Sequence, residues 1–192
     1  MEFKDYQKYR WFYTSSNKLV IGGKSAEQNE SLIKRLKSAK EDYIIIHTAS
    51  PGSPFSIILS DKPKLKSDIE QAAIFTACFS KQWKQGKKSA EIHIFKLSQL
   101  YKIKTMKIGT WGVKPPIQKI QIKLQLVLTK QKSKLRAVPP QTPKSKSVLL
   151  KIIPGKIDKT LMLSKLQVLL PSDVTQEEIL QALPSGGINI IK

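Results

Sequence analysis

Apolar and polar residues alternate most cleanly between Ile117 and Thr129: Ile120, Ile122, Leu124, Leu126 and Leu128 fall on one side, Gln121, Lys123, Gln125 and Val127 on the other. A period of two marks an extended strand. Shorter apolar runs bounded by turn residues add further strands. Arg10–Tyr13 and Leu19–Ile21 flank Ser15-Ser16-Asn17, whose side chains bond their own backbone, and so read as a hairpin. Tyr43–His47 and Phe55–Leu59 flank the Thr48–Pro54 loop; Ala90–Leu97, Val148–Ile153 (ended by Pro154-Gly155) and Ile188–Ile191 complete the set.

Helical spacing appears in four places. From a Ser25/Gln28 capping box a helix runs to Lys40, with Asn29, Leu32, Ile33, Leu36 and Ala39 on one side. There Asn29 is expected to brace the Gly22-Gly23 turn. A Ser67/Glu70 box opens a second helix ending near Trp83, with Ile69, Ala72, Ala73, Thr76, Phe79 and Trp83 on one stripe. Asp158–Leu170 is apolar over a wide arc, which predicts a well-buried helix. Thr175/Glu178 is a third box, with Val174 and Ile179 placed as a hydrophobic staple. Strands and helices are interspersed, so the fold class is α+β: a mixed or antiparallel sheet with packed helices and a basic β-α-α C-terminal extension. Pro115-Pro116 is the expected internal boundary. It separates a core at 1–116 from an extension at 117–192, either as two bodies or within one globule.

Composition narrows the class. With 192 residues, 40% of them apolar, the chain can bury a sizeable core. Cys78 stands alone, which excludes an internal disulfide and fits a reducing compartment. No apolar run reaches the roughly 20 residues of a membrane span, and MEFKDYQKYR lacks a signal-peptide core. The expectation is a soluble cytoplasmic protein with no membrane partner.

Charge changes the picture most. Lys+Arg number 34 against 14 Asp+Glu, a net +20, and between Ile92 and Ile157 there is no acid among 15 basic residues. Such a field suits nucleic acid, an anionic membrane surface or an acidic protein. Only Arg10, Arg35 and Arg136 are arginine. Lysine is a hydrated point charge without arginine's planar fork, so the expected contact is with phosphates rather than base edges.

Candidate binding residues are Arg10, Trp11, Lys18 and Lys24 on the hairpin and its exit, and Lys102, Lys104, Lys107, Trp111 and Lys114 further on. Lys102 and Lys104 are placed on one solvent face of an extended segment. Trp111 lies between two glycines and is either a base-stacking ring or a core plug; Tyr101 is a further stacking candidate. Gly22, Gly23 and Ser25 lead into a helix N-terminus, where free N–H groups suit an anion. Lys81, Lys84, Lys87 and Lys88 form a basic helix end, solvated or in contact with phosphate. His47 and His93 are the only histidines, Cys78 reads as a packing residue, and no zinc spacing, paired carboxylates or nucleophile motif is present. No enzyme activity, cofactor or metal is expected. A helix-turn-helix reading of the last two helices is set aside, because Glu177 and Glu178 would face DNA.

Arg10-Trp11-Phe12, Thr14-Ser15, Val20-Ile21-Gly22-Gly23 and Asn29-Glu30 together resemble the opening of the NFACT RNA-binding domain, the C-terminal module of tRNA-recruiting ribosome-quality-control proteins, in a stand-alone archaeal-like form. His47, Gly52, Ser53 and Pro54 fit the family's loop, although Ala49 and Pro51 stand where archaeal relatives have Asp and His. Leu183–Gly187 is similar to the archaeal C-terminus. The resemblance implies an RNA partner, tRNA or rRNA, and a ribosomal context, with His47 and Ser53 as site residues. The alternatives are an adaptor for an acidic or ribosomal protein and a double-stranded DNA binder.

Overall fold

A computed structural model describes residues 3–39, 41–60, 65–142 and 147–191. The basic connector at 62–66 and the Pro139–Ser147 linker fall partly outside them, as does the helix end at Lys40. Within them, β1 (Arg10–Tyr13) and β2 (Leu19–Gly22) form the expected hairpin, with Asn17 at φ 61° in its turn. α1 (Ala26–Lys37) follows, capped by the Ser25 hydroxyl accepting from the Gln28 amide at 3.2 Å. β3 (Ile44–Thr48) and β4 (Ser56–Leu59) come next, then α2 (Lys66–Cys78), α3 (Lys81–Lys84) and β5 (Ser89–Lys96). A short pair, β6 (Leu100–Tyr101) with β7 (Gly112–Val113), precedes β8 (Gln118–Lys123).

The first sheet has six antiparallel strands in the order β1-β2-β4-β3-β5-β8. Its central strands are covered on both faces, and neighbouring residues therefore enter different cores. Trp11, Ile21, Ile45 and Ile57 pack with Leu32, Ile33 and Leu36 of α1. Phe12, Val20, Ile46 and Ile58 pack with Ala72, Ala73, Phe75 and Ala77 of α2. Small residues along α2 let it lie close to the strands.

The second sheet, antiparallel in the order β10-β9-β11-β12, comprises β9 (Leu126–Gln131), β10 (Lys134–Val138), β11 (Leu150–Asp158) and β12 (Gly187–Ile191). Leu126, Leu128, Ile152 and Ile188 join the α2 core, as do Leu166 of α4 (Leu163–Leu169) and Ile179 of α5 (Gln176–Ala182).

Four expectations are corrected. The single strand over 117–129 is two strands in two sheets, bent where the Leu124 amide donates to the Lys88 carbonyl at 2.9 Å. The second helix starts at Lys66, not at a Ser67 box. Asp68 accepts from the Leu65 amide at 2.8 Å, and the helix breaks at Phe79 before α3 resumes. β11 continues through Pro154-Gly155 with a shift of register opposite β12 rather than ending there. The Asp158–Leu170 helix shrinks to α4 and is not well buried: Leu161 is 78% and Val168 85% exposed. A wide apolar arc says nothing about whether a partner element covers it.

Candidate functional site

Asn29, expected to brace the Gly22-Gly23 turn, packs against Gly23 but hydrogen-bonds the 53–55 segment instead. Its Oδ1 accepts from the Phe55 amide at 3.1 Å and its Nδ2 donates to the Ser53 carbonyl at 3.4 Å. A Cβ on Gly23 would lie 2.3 Å from that Oδ1, so only glycine lets the turn close onto the amide. The 48–54 loop ties itself: the Thr48 amide donates to Ser53 Oγ at 3.0 Å and Thr48 Oγ1 donates to the Ser50 carbonyl at 2.5 Å. His47 stacks on Phe55 with centroids 4.4 Å apart, and its Nδ1 donates to the Thr48 carbonyl at 2.6 Å. Burial, with the nearby His93, outweighs the Thr48 bond and lowers its pKa to about 4. The ring is therefore neutral at pH 7, and Nε2 is an acceptor.

A second wall leans on the start of α1. The buried Glu30 carboxylate accepts from Lys102 Nζ at 2.5 Å and the Gly109 amide at 3.0 Å, and pairs with Lys34 at 3.2 Å. Burial raises the pKa of Glu30, but these bonds outweigh it and leave the carboxyl below its usual range. Gly109, at φ +75°, would place a Cβ 2.7 Å from the Ala26 Cα.

These walls enclose a basin of about 510 Å³. Arg10, Lys24, Lys81 and Lys84 line it, together with Gly23, Ser25, His47, Ser53, His93 and Ser185, and no Asp or Glu is among the lining residues. Phe55, Phe79, Phe95 and Trp111 supply apolar surface. The Lys81 backbone is fixed by its N–H donating to the Gly52 carbonyl at 2.9 Å. Beside the basin lies a cleft of about 60 Å³ that shares Arg10, Lys24 and Phe79 and adds Lys134 and Arg136. The Arg10 guanidinium lies 4.6 Å from the Phe79 ring centre and that of Arg136 4.2 Å from the Trp11 ring centre. Burial, then the charge of Arg136, lowers the Arg10 pKa to about 10; partial burial and the two arginines lower that of Lys24. All remain cations at neutral pH. Unneutralised cations beside aromatic rings can grip phosphate oxygens and stack bases.

The basin thus gathers Arg10, Lys24, Trp111, Gly23, Ser25, His47 and Ser53 of the sequence candidates. It does not gather the others. Trp11 is 1% exposed beneath Arg136 and Tyr6, with no ring face free for stacking, and Gly22 is buried at the end of β2. Lys18, 8% exposed, points into the protein and pairs with Asp68 at 2.6 Å. Lys102 is held by Glu30, and because 102–110 is a folded-back loop rather than a strand, Lys102 and Lys104 do not share an extended face. Lys104, Lys107 and Lys114 are exposed but outside the basin lining. Trp111 is half-buried, with the Lys37 and Lys102 ammonium groups 5.6 and 5.2 Å from its ring centre, so it walls the basin rather than offering a free face. Reading the chain did not single out Arg136, Phe79 or Ser185. The scarcity of arginine was the signal for Arg136, and the likeness of Leu183–Gly187 to the archaeal C-terminus that for Ser185; nothing local marks Phe79.

A family model described as NFACT protein RNA binding domain matches residues 8–115. The archaeal Rqc2 homolog aRqcH of Methanocaldococcus jannaschii is 27% identical over 205 residues, covering 100% of this chain and 30% of that protein. The ribosome quality control complex subunit NEMF of Homo sapiens is 29% identical over 80 residues, 41% of this chain and 7% of that one. The solved C-terminal part of a fibronectin/fibrinogen-binding protein from Streptococcus suis superposes with a TM-score of 0.52 at 15% identity, over 77% of this chain and 50% of that one. That likeness speaks to the fold alone. The chain spans less than a third of the length of the curated relatives it matches.

Proposed function

Because the chain belongs to the NFACT RNA-binding domain family, we propose that it is a non-catalytic RNA-binding module working in ribosome quality control, in the cytoplasm, on tRNA or rRNA. The observation that carries this reading is the basin and cleft, where Arg10, Lys24, Lys81, Lys84, Lys134 and Arg136 converge without a lining carboxylate. Cations gathered without counter-charges repel one another until a polyanion arrives. The core at 1–116 carries most of that surface, and the extension at 117–192 adds Lys134, Arg136 and Ser185 to its border. Exposed Lys104, Lys107 and Lys114 would extend the same field. With four to six phosphates neutralised, the log–log salt slope should be about −3 to −5.

Filter binding of tRNA, duplex RNA and duplex DNA across a salt series tests the proposal. Salt-dependent affinity for tRNA above that for duplex DNA is expected. Equal affinity for DNA would remove the RNA preference, and no salt-dependent affinity for any of them would favour an adaptor for an acidic protein.

A further inference from the structure

Arginine is scarce in this chain: three of 34 cations. Two of those three, brought from β1 and β10, meet in the small cleft beside the basin. Each guanidinium rests against an aromatic ring, which hides one face and leaves its N–H edge to define direction. Among the described residues neither makes an ion pair with a carboxylate, and the Arg136 Nε is buried without a hydrogen-bond acceptor. The charge of Glu178 reaches Arg136 without pairing with it, while Lys24 and Lys134 stand alongside. The sealed Arg136 Nε lies out of a ligand's reach, but two guanidinium groups without a carboxylate partner suit a phosphate oxygen, which accepts from a paired fork. The cleft, at about 60 Å³, has room for a single such group.

The larger basin opens from the same Arg10 and Lys24. It is too roomy for a phosphate alone. Its walls join Phe79 and the His47 ring to Lys81 and Lys84, the mixture of flat apolar surface and donors that accepts an unstacked base and its sugar. Neutral His47 adds an acceptor among donors, suited to an exocyclic amine.

We propose that Arg10 and Arg136 clamp one backbone phosphate of a single-stranded RNA segment, and that the nucleoside attached to it turns out of the strand into the neighbouring basin. This rests on the RNA-binding reading above and sharpens it: the preferred ligand is an unpaired stretch, not a helix surface.

Fluorescence anisotropy with a labelled nine-nucleotide single-stranded RNA, and with the blunt duplex of the same sequence, tests it. Arg136→Lys keeps the charge but loses the fork; Ala49→Trp fills the basin from an exposed wall position without changing charge. Each should weaken single-strand binding about tenfold and leave duplex binding within about twofold. Lys165→Gln on exposed α4 serves as the control. Thermal melts identify a variant that has lost its fold, and the two substitutions sit in different elements, so one unstable variant does not remove the test. Single-strand affinity unchanged in Ala49→Trp, or both RNA forms weakened equally, overturns the proposal while RNA binding stands. A wild-type protein that binds no RNA in any form overturns the functional reading and this inference together.

Discussion

Replacing Lys18 by Met separates a structural cation from a binding one. Lys18 is one of the lysines that sequence reading assigns to RNA, yet its ammonium lies 2.6 Å from an Asp68 carboxylate that is fully buried. Burial raises the Asp68 pKa, but Lys18, Ser16, Thr14 and the Leu65 amide together outweigh it and hold it at about 2. Met preserves the stem and removes the charge, leaving a buried carboxylate with three neutral donors. Breaking one side of a buried pair costs about 3–5 kcal/mol. With those donors still in place, about 2–3 kcal/mol is the expected loss, read as a lower urea midpoint at pH 7. A carboxylate with a lowered folded pKa stabilises the protein above its unfolded value near 3.8 and loses that contribution as pH falls toward 2. The Lys18→Met penalty should therefore shrink between pH 4 and pH 2. RNA affinity should stay within about twofold. A variant as stable as wild type that binds RNA fivefold more weakly would refute the reasoning.

Two further predictions concern the walls of the basin. His47 is neutral in the fold with a pKa of about 4 against 6.5 when unfolded, so the unfolded chain takes up the proton first and stability falls as pH drops through that window, by at most about 3 kcal/mol. An NMR titration placing His47 above pH 6 would exclude the buried geometry. Glu30→Gln keeps the shape but frees Lys102, and deuterium uptake across 102–111 should rise about tenfold or more. Unchanged uptake would mean that the loop holds itself against α1 without the carboxylate.

Much of the fold was legible because it is written in local periods. The β1–β2 hairpin and the Ser25 and Thr175 caps depend on residues near one another, and each formed as expected; Asn29 reaches 24 and 26 residues along the chain, to Ser53 and Phe55, instead of bracing the glycine turn. The alternation over 117–129 was real, but a period of two cannot reveal that its strands belong to different sheets. The site was harder to read. Lys18, Lys24 and Lys102 look alike in sequence; one is buried against Asp68, one borders the basin and one is held by Glu30. Only long-range contacts separate them. Arg136 lies 126 residues from Arg10, and the cleft they share exists only after β10 is laid beside α5.

The bend at Leu124 also governs how the molecule can receive a guest. A single run of backbone supplies a strand to each sheet, and Trp83 Nε1 donates to the Gly187 carbonyl at 3.0 Å, fastening the last strand to the helix that carries Lys84. The sheets are thereby riveted at two separate places and cannot part like the covers of a book. Whatever enters must conform to a receptacle already shaped, so the ordering cost falls on the incoming strand rather than on its host.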